Sequence, residues 1–343
     1  MSSLFERVVS GLFGAADKPG TDVDQQLVDE TTDLIVGIVE PRIKLRSGYR
    51  NKLAGGVRQT IAHLREVAQG LPPQALLLSR QAWADDPQVR AFFAAAQDVS
   101  TCIGRCDELR QFFDEHPDGT EAYALLGMQH QERQVLAARL EGSEVRQDVA
   151  QTTVSFGDHR LLAAAADLAG SRFEVGRRIV QRLAQLVLAR VVAIDEQVQD
   201  LHLRKAKLGV RLRMLRAARE GMQPLVSEGL TIEQQIQEVE RDMRETADDY
   251  AAAKSSVATL DGFIGHINAV LEQPQSQVAL RRQRLRVNRM GVKVDRPDDE
   301  ADELELAELS IGDGLRATIA FVRIPRDELP PREDVVAQAL RAL

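Results

Sequence analysis

The sequence predicts a mainly helical α+β protein in which an N-terminal helical bundle and a small antiparallel β-sheet carry a long antiparallel coiled-coil hairpin. Three observations carry that prediction. Two apolar seams of 4-3 spacing and nearly equal length flank a stretch rich in Gly and Pro. The segment from 284 to 324 changes to a period of two. Aromatic residues make up only 4% of the chain while Ala, Leu, Arg, Glu and Gln abound, the composition of long helices packed through aliphatic stripes. At 343 residues the chain has the length for two or three structural units.

Residues 1–21 read as an amphipathic helix and a linker. Ser3 followed by Glu6 matches a capping box, and Leu4, Phe5, Val8, Val9, Leu12 and Phe13 fall on one half of a helical wheel, with Glu6, Arg7 and Ser10 on the other. The "DKPGTD" stretch that follows stops the helix and opens a joint. The apolar half has to be buried against the chain itself or a second copy, in a partner's groove, or on a membrane surface. Glu6 and Asp17 offset Arg7 and Lys18, which leaves little attraction to anionic lipid.

Residues 22–148 carry a helical pattern broken at Pro41, "GLPP" (70–73), "DDP" (85–87) and "EHPDG" (115–119), the outline of a bundle of about five helices. Residues 173–272 form the predicted arm. From Phe173 the first seam runs through Val180, Ala184, Val187, Val191, Ile194, Val198, Leu201, Leu208, Leu212 and Leu215. The second runs through Ile232, Ile236, Val239, Met243, Thr246, Tyr250, Ala253, Val257, Leu260, Ile264, Ile267 and Leu271. Between them "GMQPLVSEG" (221–229) supplies Gly221, Pro224 and Gly229 for a chain reversal. Folding back there sets Leu215 opposite Ile232, Leu212 opposite Ile236, Leu208 opposite Val239, Val198 opposite Tyr250 and Val187 opposite Leu260, each pair symmetric about Gln223–Pro224. At about 1.5 Å per residue such an arm is roughly 60 Å long.

The arm's charges fit the same register. "LRKAKLGVRLRMLRAARE" (203–220) carries seven bases before its first acid, and residues 233–249 carry seven acids against two arginines. Flanking ion pairs of this kind set partner and orientation, each contributing about 0–1 kcal/mol when exposed. Arg211, Arg213 and Arg216 are the candidate contacts if the basic run instead meets a nucleic acid. A net charge of −8 and a pI near 5.4 argue against phosphate polymers, as does an arm whose aromatic groups are Tyr250 and Phe263.

The small β-containing domain is assigned to 149–172 and 273–330. Its expected strands are 151–156, 284–294, 304–312 and 314–324, with "IGDGL" as a hairpin turn in which Asp-Gly takes a positive φ. Arg281, Arg282 and Arg284, with Arg286 and Arg289, precede the acids Asp298, Asp299, Glu300, Asp302 and Glu303. Neutralisation across the sheet is expected, and an arginine patch for phosphate is the alternative. A C-terminal helix is assigned to 331–343.

Reaction chemistry is not legible. No phosphate-cradling Gly-rich loop, HExxH helix or nucleophile elbow is present, and the six histidines are scattered. Cys102 and Cys106 lie one helical turn apart without a second Cys/His pair, and read as ordinary buried thiols. "SFGDHRLL" places Asp158, His159 and Arg160 in an expected polar loop after a strand. No catalytic, cofactor or metal site is therefore expected. Without a run of about 20 apolar residues or a secretory pattern, the expected address is the cytoplasm, with the inner face of a membrane as the alternative. The expected function is a non-enzymatic scaffold or adaptor that contacts other protein chains, copies of itself included, through its coiled coil and bundle. A peripheral membrane protein using the N-terminal helix and a nucleic-acid-associated factor using the arginine patches stay open as alternatives.

Overall fold

The computed structural model describes residues 2–14, 24–141, 144–222, 229–294 and 301–331, and these form a mainly helical α+β architecture with an antiparallel sheet and a long helical hairpin. They fall into two compact units. The first draws on Met1–Val23, Ile61–Leu183 and Pro274–Leu343, the second on Asp24–Thr60 and Ala184–Gln273. The linker at 15–23, the arm's turn at 223–228 and the expected C-terminal helix from 332 onward lie outside the described residues.

The first unit is built on six strands: β1 (Ala75–Leu77), β2 (Glu121–Glu141), β3 (Glu144–Ala165), β4 (Val278–Val287), β5 (Asp302–Ile311) and β6 (Leu315–Pro325). Their order is β3-β2-β6-β5-β4, with β1 added parallel to β6. The helical reading of 22–148 extends as far as Glu115 and fails from Glu121, where β2 begins. The apolar spacing of "AYALLGM" suits a helix as well as a strand, and non-local pairing decides between them. Ala122, Ala124 and Leu126 pair with Ile324, Val322 and Ala320, and together with Met128 they bury one face at a period of two.

The segment expected as a strand at 151–156 is the middle of β3, and its neighbour along its length is β2 rather than a C-terminal strand. Asp158, expected in a loop, also lies within β3. At three places β3 advances three residues while β2 advances two, so each bulge puts its extra residue in β3. Asp158 (φ 50°) and Ala163 (φ 60°) lie within two of those steps.

The strand expected at 284–294 starts earlier and ends at Val287. Asn288 then turns the chain, its Oδ1 accepting from the amides of Met290 (2.9 Å) and Val292 (3.0 Å), and Gly291 takes φ +74°. Val292 and Lys293 fold back to bridge Val287 and Thr153. The Lys293 amide donates to Thr152 O (2.8 Å), and the Val154 amide donates to Gly291 O (2.7 Å). This hook joins β4 to β3, the two ends of the strand order, so the sheet curls back on itself. The turn between β5 and β6 is a three-residue loop with its positive φ at Gly312 rather than at the Asp-Gly pair.

The helices α4 (Arg80–Asp85), α5 (Pro87–Phe92), α6 (Ala96–Gly104) and α7 (Asp107–Glu115) share a core with the sheet. Phe92, Phe93, Val99, Ile103 and Leu109 are buried with Leu126, Met128, Leu304, Leu306 and Val322 in one cluster. The "DDP" break is a helix start. Asp86 accepts from the amides of Gln88 (2.7 Å) and Val89 (3.3 Å), and Pro87 occupies the first turn, where its missing N–H costs nothing.

The second unit contains α2 (Gln25–Val39), the first half of α3 (Tyr49–Gly70), α8 (Leu168–Met222) from Ala184 onward, α9 (Gly229–Val257) and α10 (Leu260–Leu271). The expected bundle is thus divided, with α2 and the start of α3 grouping with the arm and α4–α7 with the sheet. Specific contacts to α10 explain the grouping. Thr60 Oγ1 donates to Leu271 O (2.8 Å), Asn268 Nδ2 donates to Lys52 O (3.0 Å), and Asp261 pairs with Lys52 (2.7 Å) and Arg46 (2.9 Å). Gly56 permits the approach, since a Cβ there would stand 3.0 Å from that of Leu271.

The fold-back of the arm is present. Leu212, Ile236 and Val239 are buried together, with Leu208, Leu215, Ile232 and Met243 packed against them. The expected second seam is interrupted at Ala258–Thr259, where Thr259 Oγ1 accepts from the Gly262 amide (3.1 Å) and starts α10. Ser256 leaves no room for a Cβ at Gly262. Paired Leu208→Cys and Val239→Cys substitutions are expected to give an intrachain disulfide under mild oxidation. Non-reducing electrophoresis checks this, and a crosslink formed only between chains would make the arm an intermolecular coiled coil.

Candidate functional site

The N-terminal helix α1 (Ser2–Phe13) has its face occupied by its own unit. Val8, Val9, Leu12 and Phe13 are buried, and Leu4 and Phe5 are half-buried. Phe13 lies against Gly176, in the first turns of α8, where no Cβ fits. Arg65 donates from Nε and Nη2 to Gly11 O, both at 3.3 Å. The helix begins at Ser2, so Ser3, expected as its cap, lies one residue inside.

The arginines of β4 do not converge. Arg282 donates from Nε to Gly70 O (2.8 Å) and from Nη2 to Leu71 O (3.0 Å), and so takes up carbonyls at the end of α3. Arg172 donates to the same Leu71 O (3.0 Å), and burial followed by the nearby Arg282 holds its pKa below the usual range. Arg284 pairs across the sheet with Glu305 (3.3 Å) and Glu303 (3.7 Å), the neutralisation the sequence predicts. Arg281 faces Glu308 in register, but Arg316 holds that carboxylate at 2.8 Å.

The thiols and aromatic groups offer no reactive constellation. Burial, reinforced by Cys106, pushes Cys102 up to about 12. Cys106 Sγ donates to Leu161 O (3.4 Å) and accepts from the Leu109 amide (3.4 Å). A cavity of 480 Å³ in the first unit is walled by Trp83, Phe92, Phe93, Phe156 and Met290. Its nearby polar groups are engaged: Trp83 Nε1 donates to Phe93 O (2.8 Å), His159 Nε2 bonds Phe92 O (2.7 Å), and Arg90 pairs with Asp302 (3.1 Å).

The arm has a different character. Two of its flanking bases find acids on α9, Arg216 with Glu240 (2.8 Å) and Arg219 with Glu233 (3.3 Å). Arg211 and Arg213, together with Arg204 and Lys207, make no ion pair among the described residues. Between these charges α8 exposes apolar side chains that the seam does not use: Leu188 (37% exposed), Val192 (48%), Leu203 (56%), Val210 (43%) and Met214 (68%). At about 100° per residue the five fall within an arc of roughly 80°, and Gln199 and Ala206 lie in the same arc. Among the described residues α9 exposes no large apolar side chain. Sequence reasoning passed over this stripe because it sought one seam per helix. The signal available was the set of apolar residues left over once the seam is assigned.

No protein-family model, curated protein or solved structure matches the chain. Among the described residues no helix is long and apolar enough to cross a membrane.

Two substitutions check these assignments. Arg282→Ala is expected to lower the stability of the first unit by about 1–3 kcal/mol, because Gly70 O loses the donor from Arg282 and Leu71 O keeps only that from Arg172, whereas Arg281→Ala changes it by less than about 0.5 kcal/mol. Urea unfolding followed by the fluorescence of Trp83, the single tryptophan, measures both. Gly176→Leu is expected to displace α1 and speed proteolytic release of residues 2–14, seen by mass spectrometry of timed digests.

Proposed function

We propose that the protein is a non-enzymatic scaffold or adaptor that contacts other protein chains through its hairpin arm, and that the outward side of α8 is the contact face. One observation carries this reading: α8 packs Leu208, Leu212 and Leu215 with Ile232, Ile236, Val239 and Met243 of α9 and still presents a second apolar stripe to solvent. A stripe whose anchors recur four, seven and eleven residues apart on one helix face is a form in which a helix is recognised by another helix or by a groove. The unpaired bases beside it supply a charged rim of the kind that fixes register and orientation.

Two further observations favour a protein partner over the alternatives. The apolar half of α1 is covered within its own unit, so a membrane contact would first have to undock it. Arg282 is spent on carbonyls and Arg284 on acids, which leaves the β4 arginines poorly arranged for phosphate. The proposed address is the cytoplasm, where a reducing environment suits the buried thiols of Cys102 and Cys106.

The test is affinity capture of the full chain from its own cells, in parallel with a Val192→Glu/Val210→Glu variant. Both substitutions lie on exposed positions, so helicity by circular dichroism is expected to be unchanged. The co-purifying protein is expected to fall at least about tenfold, while nuclease treatment and added vesicles leave the wild-type result unaltered. Equal recovery from both chains would remove the arm face from the account. Loss of the bound material on nuclease treatment would transfer it to nucleic acid.

A further inference from the structure

We infer that the stripe on α8 is self-complementary, and that it is occupied by α8 of a second copy lying antiparallel, with the two-fold axis passing at Leu201. This rests on the arm-face reading above and names its partner. Antiparallel pairing about Leu201 sets Leu188 against Met214 of the other copy and Val192 against Val210. It also sets Gln199 against Leu203, and on the flank of the stripe it brings Glu196 beside Lys207. Each contact occurs twice, as a two-fold interface requires. The paired length, 188 to 214, is about 39 Å.

Charge selects both the orientation and the partner. The bases Arg204, Lys207, Arg211 and Arg213, which make no ion pair among the described residues, lie on the C-terminal side of Leu201. The exposed acids Asp195, Glu196 and Asp200 lie on its N-terminal side. Antiparallel packing of two copies lays the acidic half of each helix on the basic half of the other. Parallel packing would lay acid on acid and base on base, a cost that grows as the interface excludes water. An anionic lipid surface would meet Asp195 and Glu196 with the wrong sign. The helix therefore carries in one stretch both the apolar anchors and the counter-charges for its own copy.

The experiment uses the full chain in sedimentation velocity over a concentration series. The wild type is expected to be a reversible dimer and Val192→Glu/Val210→Glu a monomer of unchanged helicity. Glu196→Lys and Lys207→Glu are each expected to weaken dimerisation about tenfold, and the double variant Glu196→Lys/Lys207→Glu to recover most of the loss, because the swapped charges meet again across the two-fold. Leu188→Cys/Met214→Cys is expected to form disulfide-linked dimers, while Leu188→Cys alone does not, its two sulfurs lying about 39 Å apart.

A wild-type chain that stays monomeric throughout overturns the inference, as does a dimer that survives Val192→Glu/Val210→Glu. Crosslinking of Leu188→Cys alone would make the packing parallel and overturn it too. If the chain is monomeric and yet Val192→Glu/Val210→Glu loses a captured protein, the arm-face reading stands and the second copy is rejected. If neither measurement responds, both fall.

Discussion

A helix of 55 residues draws little stability from its own backbone in water. What holds α8 is the apolar seam along one side and a covering helix of matching pattern, supplied by the sequence that directly follows. The rest of the second unit depends on that burial. With α9 laid along α8, the seam residues are removed from water, the flanking charges of Arg216 and Arg219 come within reach of Glu240 and Glu233, and the opposite side of α8 is left with no neighbour from α9. The stripe from Leu188 to Met214 is a by-product of how the seam is satisfied.

The first unit answers to a different constraint. Its sheet has β3 and β4 at the ends of the strand order, and both would be open but for the hook at Val292–Lys293, which gives each of them additional backbone partners. Arg282 serves α3 in a similar way, by supplying donors to the carbonyls with which the helix ends. In both places a backbone group that secondary structure leaves unpaired is met by a segment distant in sequence.

Legibility in the sequence followed the range of the forces involved. The hairpin was readable because a 4-3 seam is local and its fold-back needs only a symmetric register. Strands β5 and β6 were readable because Leu304 and Leu306 alternate with Glu303 and Glu305. Strand β2 was not, since its identity is decided by β6, which lies almost 200 positions further on. The partition of α2 and α3 away from α4–α7 was also hidden, because it rests on Asp261, Asn268 and Leu271 meeting the first half of α3. Of the candidate residues, Val8 through Phe13 and Arg282 turned out to serve the interior of their own unit. Arg211 and Arg213 make no ion pair among the described residues, but the apolar stripe beside them emerged only when the covered side of α8 was known.

The three bulges of β3 bear on whether its margin can recruit a further strand. A neighbouring strand can extend a sheet only if the amides and carbonyls along the exposed margin keep an even beat over several residues. Each extra residue in β3 breaks that beat, and the left-handed backbone at Asp158 and Ala163 turns the margin locally out of line. A second chain approaching that margin meets a ladder with missing rungs. Runaway sheet growth is discouraged there by the backbone itself, with the exposed charges of Asp158 and Arg160 beside one of the bulges.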